Sequence, residues 1–203
     1  MIKFVYFDFG GVLTESGRSG FVSETLADLY EVEPAQLDIG FYHGELRRGR
    51  GRDQDLFDYL NRKFGKEVTR DMFLRAAHTE FFPSHEVYKL AERLRTAGIG
   101  TGLLSNVFTM NAEELKKQGW YDGFEPIILS CDVGYAKPDA QIYDIAIEQS
   151  GVYAEEILFI DDQQKCLDPA ENRGFHTVQA IAPHQIVSDV EKLIRKLNDT
   201  DLS

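Results

Sequence analysis

Three short apolar runs in the sequence each end in polar residues. They read "IKFVYFD" from Ile2, "GTGLLSN" from Gly100 and "EILFIDD" from Glu156. Continuous apolar runs of this length, bounded by polar residues, are typical of strands that are buried on both faces. Two further runs, "FEPIILS" and "FHTVQAI", predict two more strands.

The segments between these runs show helical patterns. One is "SHEVYKLAERLRTAG", in which Ser84 is a candidate N-cap and Gly98 a stop signal. Another is "DAQIYDIAIEQSG", which begins just after Pro138. Strands that alternate with helices indicate a parallel sheet covered by helices on both faces, so we predict an α/β fold of the doubly wound, Rossmann-like type.

The pattern changes between Glu15 and about Pro83. No strand signal occurs there, and helical periodicity runs through four segments, "FVSETLADLY", "QLDIGFYHGELRRG", "DQDLFDYLNRKFG" and "TRDMFLRAAHTEF". We therefore predict an all-helical insertion of residues 15–83 in an α/β core that consists of residues 1–14 and 84–203.

Composition places the chain among ordinary globular proteins, because 43% of its 203 residues are hydrophobic and 28% are charged. It has 22 basic and 34 acidic residues, and the resulting net charge of −12 disfavours a nucleic-acid backbone or an anionic membrane surface as partner. No apolar run reaches the roughly 18 residues of a membrane helix. The apolar N-terminal stretch contains Asp8, which a secretory signal would not tolerate. We expect a cytoplasmic protein.

Polar side chains stand at the ends of three predicted strands. In an open parallel sheet the carboxyl ends of the strands form the ligand-binding crevice, so we expect these side chains to meet there. Their oxygen atoms suit a hard cation such as Mg²⁺, which often leaves coordination positions for a phosphate, and a nearby lysine would balance the negative charge. The residues are Asp8, Ser105 with Asn106, Asp161 with Asp162, and Lys137.

Four short motifs follow one another in the order "DFGGVLT", "LLSN", "AKPD" and "FIDD". Together they resemble the four motifs of the haloacid dehalogenase-like hydrolase superfamily, over essentially the whole chain. The helical insertion resembles the four-helix cap of that superfamily. Its stretch "FYHGELRRGRGRDQDLF" is similar to the cap of a subgroup related to glucose-1-phosphate phosphatases, whose first motif also has glycine two residues after the aspartate.

The resemblance implies a role for each motif residue. Asp8 would be the nucleophile and a Mg²⁺ ligand, and the backbone carbonyl of Gly10 would be a second ligand. Asp162 would bind the metal directly, and Asp161 would act through water or by pairing with Lys137. The phosphoryl oxygens would be held by Ser105 and Lys137, while Asn106 would shape the edge of the site.

Two stretches of the insertion offer candidates for substrate contact. Arg47 begins a basic run in an acidic protein, with Arg48, Arg50 and Arg52, and we expect it to contact a second anionic group of the substrate. The alternative is a solvated helix face. Tyr42, between Phe41 and His43, is expected to line the pocket; the alternative is packing inside the insertion.

Gly10 is a departure from most phosphatases of the superfamily, which have at that position an aspartate that protonates the leaving group.

We expect a Mg²⁺-dependent phosphatase for a small phosphorylated metabolite, with a sugar phosphate as the leading substrate class. A 2-haloacid dehalogenase also lacks an acid there, but Gly10 replaces the bulky residue expected in dehalogenases, which do not use a metal. The third alternative is a catalytically weak binding or regulatory protein. Oligomeric state stays open.

Overall fold

The fold is built on a five-stranded parallel sheet. The structure is a computed structural model and describes residues 1–15, 21–78 and 81–198. The strand order is β3-β2-β1-β4-β5, which puts the first strand in the middle of the sheet. The predicted doubly wound α/β fold is confirmed, and the strands are β1 (Phe4–Phe7), β2 (Gly100–Ser105), β3 (Ile127–Leu129), β4 (Ile157–Asp161) and β5 (His176–Gln179).

Helices cover both faces of this sheet. The core helices are α5 (His85–Thr96), α6 (Thr109–Lys117), α7 (Ser130–Val133), α8 (Ala140–Ser150), α9 (Gln164–Glu171) and α10 (Pro183–Asn198). Ser84 lies at the N-cap of α5 as predicted, but its buried hydroxyl makes no capping hydrogen bond. Within the described residues, no helix combines the length and the apolar character needed to cross a membrane.

Alternation along the strands divides the sheet core into two clusters. Val5 and Phe7 point into a cluster with α5, α6 and α10, here called the front cluster. Phe4 and Tyr6 point into a cluster with α8 and α9 on the opposite face. Because successive side chains of a strand point to opposite faces, an apolar run without alternation needs cover on both sides. The continuous apolar runs of the sequence are explained by this double cover.

In its described residues the predicted insertion contains four α-helices, α1 (Phe21–Tyr30), α2 (Gly40–Leu46), α3 (Asp53–Phe64) and α4 (Arg70–His78). They share a hydrophobic cluster of their own, here called the cap cluster, whose fully buried residues include Leu26, Phe57 and Phe73. Phe108 and Met110, at the start of α6, belong to the same cluster. The helical segment therefore packs on the core beside the carboxyl ends of β1 and β2.

The chain leaves and re-enters the core at one place. Thr14 forms an antiparallel bridge with Pro83, and the amide of Glu15 donates to the carbonyl of Phe82 at 2.9 Å. The amide of Ser84 donates to the carbonyl of Leu13, also at 2.9 Å. The two crossings thus lie side by side. The division into a core of residues 1–14 and 84–203 and a cap of residues 15–83 stays a prediction that agrees with this junction.

Candidate active site

The predicted strand-end residues meet at one edge of the sheet. Asp8 directly follows β1, Ser105 ends β2 and Asp161 ends β4, and these three strands are neighbours. The amide of Asp8 donates to the carbonyl of Ile160 at 2.9 Å, which continues the ladder between β1 and β4 up to this edge. The sheet therefore holds the polar groups of all three strands at a fixed spacing.

Asp8 is oriented through one of its two carboxylate oxygens. Oδ1 accepts a hydrogen bond from the amide of Phe9 at 2.7 Å and lies 3.1 Å from the Lys137 Nζ. Within the described part of the chain, Oδ2 has no hydrogen-bond partner. Asp8 lines a cavity between the sheet edge and the helical segment, although it is only 6% exposed. The described contacts thus hold one carboxylate oxygen and leave the other without a partner.

Lys137 lies between the two buried aspartates. Its side chain is 1% exposed, and its Nζ lies 2.6 Å from Oδ2 of Asp161 and 2.8 Å from the carbonyl of Leu104, to which it donates. Burial alone would lower the pKa of Lys137, but the carboxylates of Asp161 and Asp8 raise it above its ordinary value. The ammonium therefore stays charged at neutral pH and neutralises part of the charge on the aspartates.

Asp8, Asp161 and Asp162 form a cluster in which one ligand atom from each lies within 4.8 Å of the others. Burial raises the pKa of Asp161, and the Lys137 ammonium opposes that rise. Burial, followed by repulsion from Asp8, raises the pKa of Asp162. The turn after β1 passes close to this cluster at Gly11, which has a φ of 75° and whose missing Cβ would lie 3.1 Å from the Asp162 carboxylate. Glycine is needed there for conformation and for space.

The donor set of this cluster fits a divalent cation. Three carboxylates face a single ammonium, that of Lys137, and Asp162 has no ion-pair partner among the residues that the structure describes. A hard cation with oxygen ligands would offset the remaining negative charge. Gly10 lies in the same turn and lines the cavity together with Asp8. The residues present therefore suit Mg²⁺, as expected from the sequence.

Ser105 and Asn106 both line the cavity, but their polar groups are engaged differently. The Ser105 hydroxyl has no hydrogen-bond partner among the described residues, so it can donate to a ligand. Asn106 donates to the carbonyl of Lys137 and accepts from its amide, both at 2.8 Å. The side-chain amide of Asn106 therefore positions the lysine loop, and the residue lines the cavity whose edge it was predicted to shape.

The cap contributes Arg47 and His43 to the cavity, but not Tyr42. The ring of Tyr42 packs on Tyr59 at a centroid distance of 5.1 Å and belongs to the periphery of the cap cluster. The expectation that Tyr42 lines this pocket is therefore wrong. Neighbouring residues of a helix point about 100° apart, so the side chain that reaches the cavity is that of the next residue, His43.

Arg47 and Arg48 have different surroundings although they are adjacent. No hydrogen bond or ion pair of the Arg47 guanidinium occurs within the described residues, and it remains available to an anion in the cavity. Arg48 instead forms a bidentate ion pair with Asp139, with both hydrogen bonds 2.9 Å long. Asp139 also accepts a hydrogen bond from the amide of Ala136 at 3.1 Å. Arg48 thus ties the cap to the loop that carries Lys137.

His43 is a neutral group in this cavity at ordinary pH. Burial, together with the positive charges of Arg47 and Lys165, lowers its pKa to about 4. The remaining titratable groups that line the described cavity are Asp8, Arg47 and Lys137. Asp8 is the candidate nucleophile, His43 is a neutral imidazole, and the other two groups are a guanidinium and an ammonium. No other described residue of the cavity therefore supplies the carboxylic acid that is missing at Gly10.

Two polar residues of the cavity were not predicted from the sequence, Asn111 on α6 and Gln163 before α9. Asn111 and Leu115 lie four positions apart and share one face of α6, and both are buried. A polar residue on the apolar face of a helix was the available signal. Gln163 directly follows the paired aspartates, and its backbone amide donates to Oδ1 of Asp161 at 2.8 Å.

A family model described as haloacid dehalogenase-like hydrolase matches residues 2–172. The chain belongs to this family. It is thereby a hydrolase, as the four motifs predicted, and its curated relatives include enzymes that act on phosphate esters. One of them, the D-ribitol-5-phosphate phosphatase of Bacteroides thetaiotaomicron, is 29% identical over 191 residues, which are 88% of this chain and 92% of that protein.

Solved structures of the family share the fold. A family hydrolase from Porphyromonas gingivalis superposes with a TM-score of 0.79 at 26% identity, over 96% of this chain and 98% of its own. A family enzyme from Bacteroides thetaiotaomicron, solved in complex with magnesium and inorganic phosphate, gives a TM-score of 0.72 at 22% identity, over 88% of this chain and 94% of its own.

Proposed function

We propose that the protein is a Mg²⁺-dependent phosphatase that hydrolyses a small phosphorylated metabolite, with sugar and polyol phosphates as the substrate class. The observation that carries this proposal is the state of Asp8, which is held through Oδ1, free at Oδ2 and placed at the cavity beside two further aspartates. The relative that acts on D-ribitol 5-phosphate and the family structure that contains magnesium and phosphate support it.

The mechanism assigns the first step to Asp8. Its Oδ2 attacks the phosphorus atom in line with the ester oxygen, the bond from phosphorus to that oxygen breaks, and an aspartyl-phosphate forms. Water then attacks the phosphorus, inorganic phosphate leaves and the carboxylate is restored. Ser105 and Lys137 hold the phosphoryl oxygens, and Asp8, Asp161, Asp162 and the Gly10 carbonyl would hold Mg²⁺. The cation, when bound, stabilises negative charge on the phosphoryl group.

The leaving group departs without help from a carboxylic acid. Because Gly10 has no side chain and His43 is neutral, the alkoxide takes its proton from water. General acid catalysis is typically worth about 10² to 10⁴ in rate. Substrates whose leaving groups need no proton, such as p-nitrophenyl phosphate, should therefore react faster than alkyl phosphates that bind equally well.

The two rival functions have less support. A 2-haloacid dehalogenase needs the attacking aspartate but no metal, and it leaves the excess negative charge of Asp161 and Asp162 unexplained. A catalytically weak binding protein leaves unexplained the ion pairs that Lys137 forms with Asp8 and Asp161, since burying such a group is costly without a function. Phosphate-ester hydrolysis uses all of these groups.

One assay separates the three functions. D-ribitol 5-phosphate, p-nitrophenyl phosphate and 2-chloropropionate are incubated with the purified protein, once with Mg²⁺ and once with a chelator. We expect release of phosphate only with Mg²⁺ and no release of chloride. Chloride release in the presence of the chelator would identify a dehalogenase, and no reaction with any of these compounds would favour the binding protein.

Replacement of the nucleophile tests the covalent mechanism. Asp8→Asn keeps the shape of the side chain and the hydrogen bond from Phe9, but an amide does not attack phosphorus. We expect phosphate release to fall at least a hundredfold, while the exposed control Asp71→Asn keeps the rate of the unchanged protein. Residual activity of more than a few per cent in a folded Asp8→Asn protein would contradict an aspartyl-phosphate at this residue.

A further inference from the structure

The side chain of Asn111 is buried without a hydrogen-bond partner. The residue is 5% exposed, its Oδ1 is inaccessible to water, and no hydrogen bond of its amide group occurs within the described residues. Buried amide groups in proteins are nearly always hydrogen-bonded, so a group without a partner in the free protein calls for an explanation. Asn111 lines the same cavity as Asp8 and Ser105.

Asn111 lies at the boundary between the cap and the core. It lies in the first turn of α6, between Met110, which belongs to the cap cluster, and Ala112, which belongs to the front cluster. The charged or polar cavity side chains that the cap contributes, His43 and Arg47, come from α2 and its C-terminal end. Asn111 therefore lies where cap and core meet, which is the part of the cavity left for the organic portion of a phosphate ester.

The surroundings make this amide the polar contact for an uncharged group. Apolar residues supply much of the cavity wall, among them Phe21, Phe81, Phe108 and Leu115. The neutral His43 ring packs edge-on against Phe108 at a centroid distance of 5.2 Å. Because Oδ1 is inaccessible, the contact with a ligand hydroxyl falls to the amide nitrogen, which can donate to the hydroxyl oxygen. A leaving group with hydroxyls would satisfy it, whereas an alkyl chain would leave it unpaired.

We propose that Asn111 determines specificity by hydrogen-bonding a hydroxyl of the leaving group, so that the cavity favours polyol and sugar phosphates over alkyl phosphates of the same length. The inference rests on the proposed phosphatase function and adds to it the residue that recognises the hydroxylated chain. A site built to bond a hydroxyl discriminates against the analogue without it, because its buried polar group then stays unpaired.

The test compares two five-carbon substrates, D-ribitol 5-phosphate and n-pentyl phosphate, with Mg²⁺. Asn111→Leu removes the amide at similar volume. We expect kcat/KM for D-ribitol 5-phosphate to fall roughly threefold to tenfold, the effect of losing one neutral hydrogen bond. We expect kcat/KM for n-pentyl phosphate to stay the same or to rise. Asn111→Ala serves as a second variant and should shift the ratio of the two substrates in the same direction.

Asn61 provides a matched control, because its amide is fully engaged inside the cap. It accepts from the hydroxyl of Tyr30 at 2.8 Å and exchanges two hydrogen bonds with the backbone of Val68. Asn61→Leu should lower the midpoint of thermal unfolding and leave the substrate ratio unchanged. Asn111→Leu should shift the substrate ratio and leave the midpoint of thermal unfolding unchanged, since it breaks no hydrogen bond of the free protein.

Two results would overturn the proposal. If Asn111→Leu slowed both substrates equally, or unfolded at a lower temperature while keeping the ratio, the amide would have a structural role only. If neither substrate nor p-nitrophenyl phosphate were hydrolysed by the unchanged protein with Mg²⁺, the phosphatase function itself would be wrong, and the role of Asn111 with it. The p-nitrophenyl phosphate control distinguishes the second result from the first.

Discussion

The pKa of His43 differs between the folded and the unfolded chain. In the folded protein its pKa lies at about 4, because burial and the charges of Arg47 and Lys165 disfavour the imidazolium form. In the unfolded chain it returns to the ordinary value of about 6.5. Between these two values a falling pH protonates the unfolded chain but not the folded one, so His43 lowers the free energy of unfolding as the pH falls from 6.5 to 4.

Replacement by glutamine should remove this contribution. We expect the stability of His43→Gln to fall less steeply than that of the unchanged protein between pH 6.5 and 4, as measured by denaturant unfolding at a series of pH values. Between pH 7.5 and 8.5, where the histidine is neutral in both states, the two proteins should show parallel stability curves. Equal slopes in the acidic range would show that the imidazole titrates normally in the folded protein.

At the scale of single elements, the end of α2 serves two purposes through two neighbouring arginines. Arg47 faces the cavity, and Arg48 pairs with Asp139. Arg47→Ala should change the order of preference among sugar phosphates, seen mainly in KM, and leave thermal stability nearly unchanged. Arg48→Ala should cost about 1 kcal/mol of stability and slow all substrates similarly, because it loosens the cap from the Lys137 loop.

A comparison of these two variants in one steady-state assay checks the assignment. A uniform loss of activity in Arg47→Ala, together with a lower unfolding temperature, would mean that Arg47 supports the docking of the cap. A changed order of preference in Arg48→Ala would mean that its pair with Asp139 opens in the substrate complex.

The loop after α2 approaches the core very closely at Gly49. This residue has a φ of 64°, and a Cβ there would lie only 2.1 Å from the carbonyl oxygen of Cys131. Gly65, at the end of α3, has almost the same φ of 65° but open space around the Cβ position. Both alanine variants lose about 1–2 kcal/mol through the left-handed backbone conformation. Gly49→Ala must also displace the loop from α7.

We therefore expect Gly49→Ala to lower both stability and phosphatase activity more than Gly65→Ala does. Thermal unfolding and hydrolysis of p-nitrophenyl phosphate measure the two effects. Equal losses in the two variants would show that the loop after α2 moves away from Cys131 without consequence for the fold or the reaction.

The elements themselves could be predicted well because their signals are local. The buried strands are continuous apolar runs, and all five occur where the sequence predicted them. The four strand-end groups at Asp8, Ser105, Asp161 and Asp162 also follow from the parallel topology. The details of the site could not be predicted in the same way. Whether Tyr42 or its neighbour faces the cavity depends on the rotation of a seven-residue helix about its axis, which tertiary packing fixes.

The same limit applies to side chains that have more than one role available. Nothing in the sequence distinguishes Arg47 from Arg48, since the partner of Arg48 is Asp139, 91 residues away. Asn106 was expected to shape the edge of the site, but the sequence did not show that its side-chain amide bonds the backbone of Lys137. Hydrogen-bond partners from distant parts of the chain decide these cases, and the local pattern carries no information about them.

At the scale of the whole molecule, the acidic cluster couples metal binding to stability. Without a cation the carboxylates of Asp8, Asp161 and Asp162 repel one another, and a ligand that binds only the folded state stabilises it. Mg²⁺ at about 100 times its dissociation constant should add roughly 2.7 kcal/mol to the free energy of unfolding. Thermal unfolding with increasing Mg²⁺ measures this shift.

Asp162→Asn should change both the stability without a cation and the stabilisation by Mg²⁺. It removes one of the repelling charges, so we expect a higher unfolding temperature in the presence of a chelator and little further rise with Mg²⁺. Asp71→Asn, at an exposed position, should respond to Mg²⁺ like the unchanged protein. A full Mg²⁺ response in Asp162→Asn would exclude this carboxylate from the metal site.

The paired crossing at Thr14 and Pro83 makes the helical segment an exchangeable module. Because the chain leaves the sheet and returns at adjacent positions, a segment of a different length or fold can be joined at the same two points without altering the spacing of the strands. A transplanted cap would need an apolar surface for Phe108 and Met110, which the present cap covers. In the history of such proteins, the substrate range can therefore diverge through one insertion while the chemistry of the sheet edge is inherited unchanged.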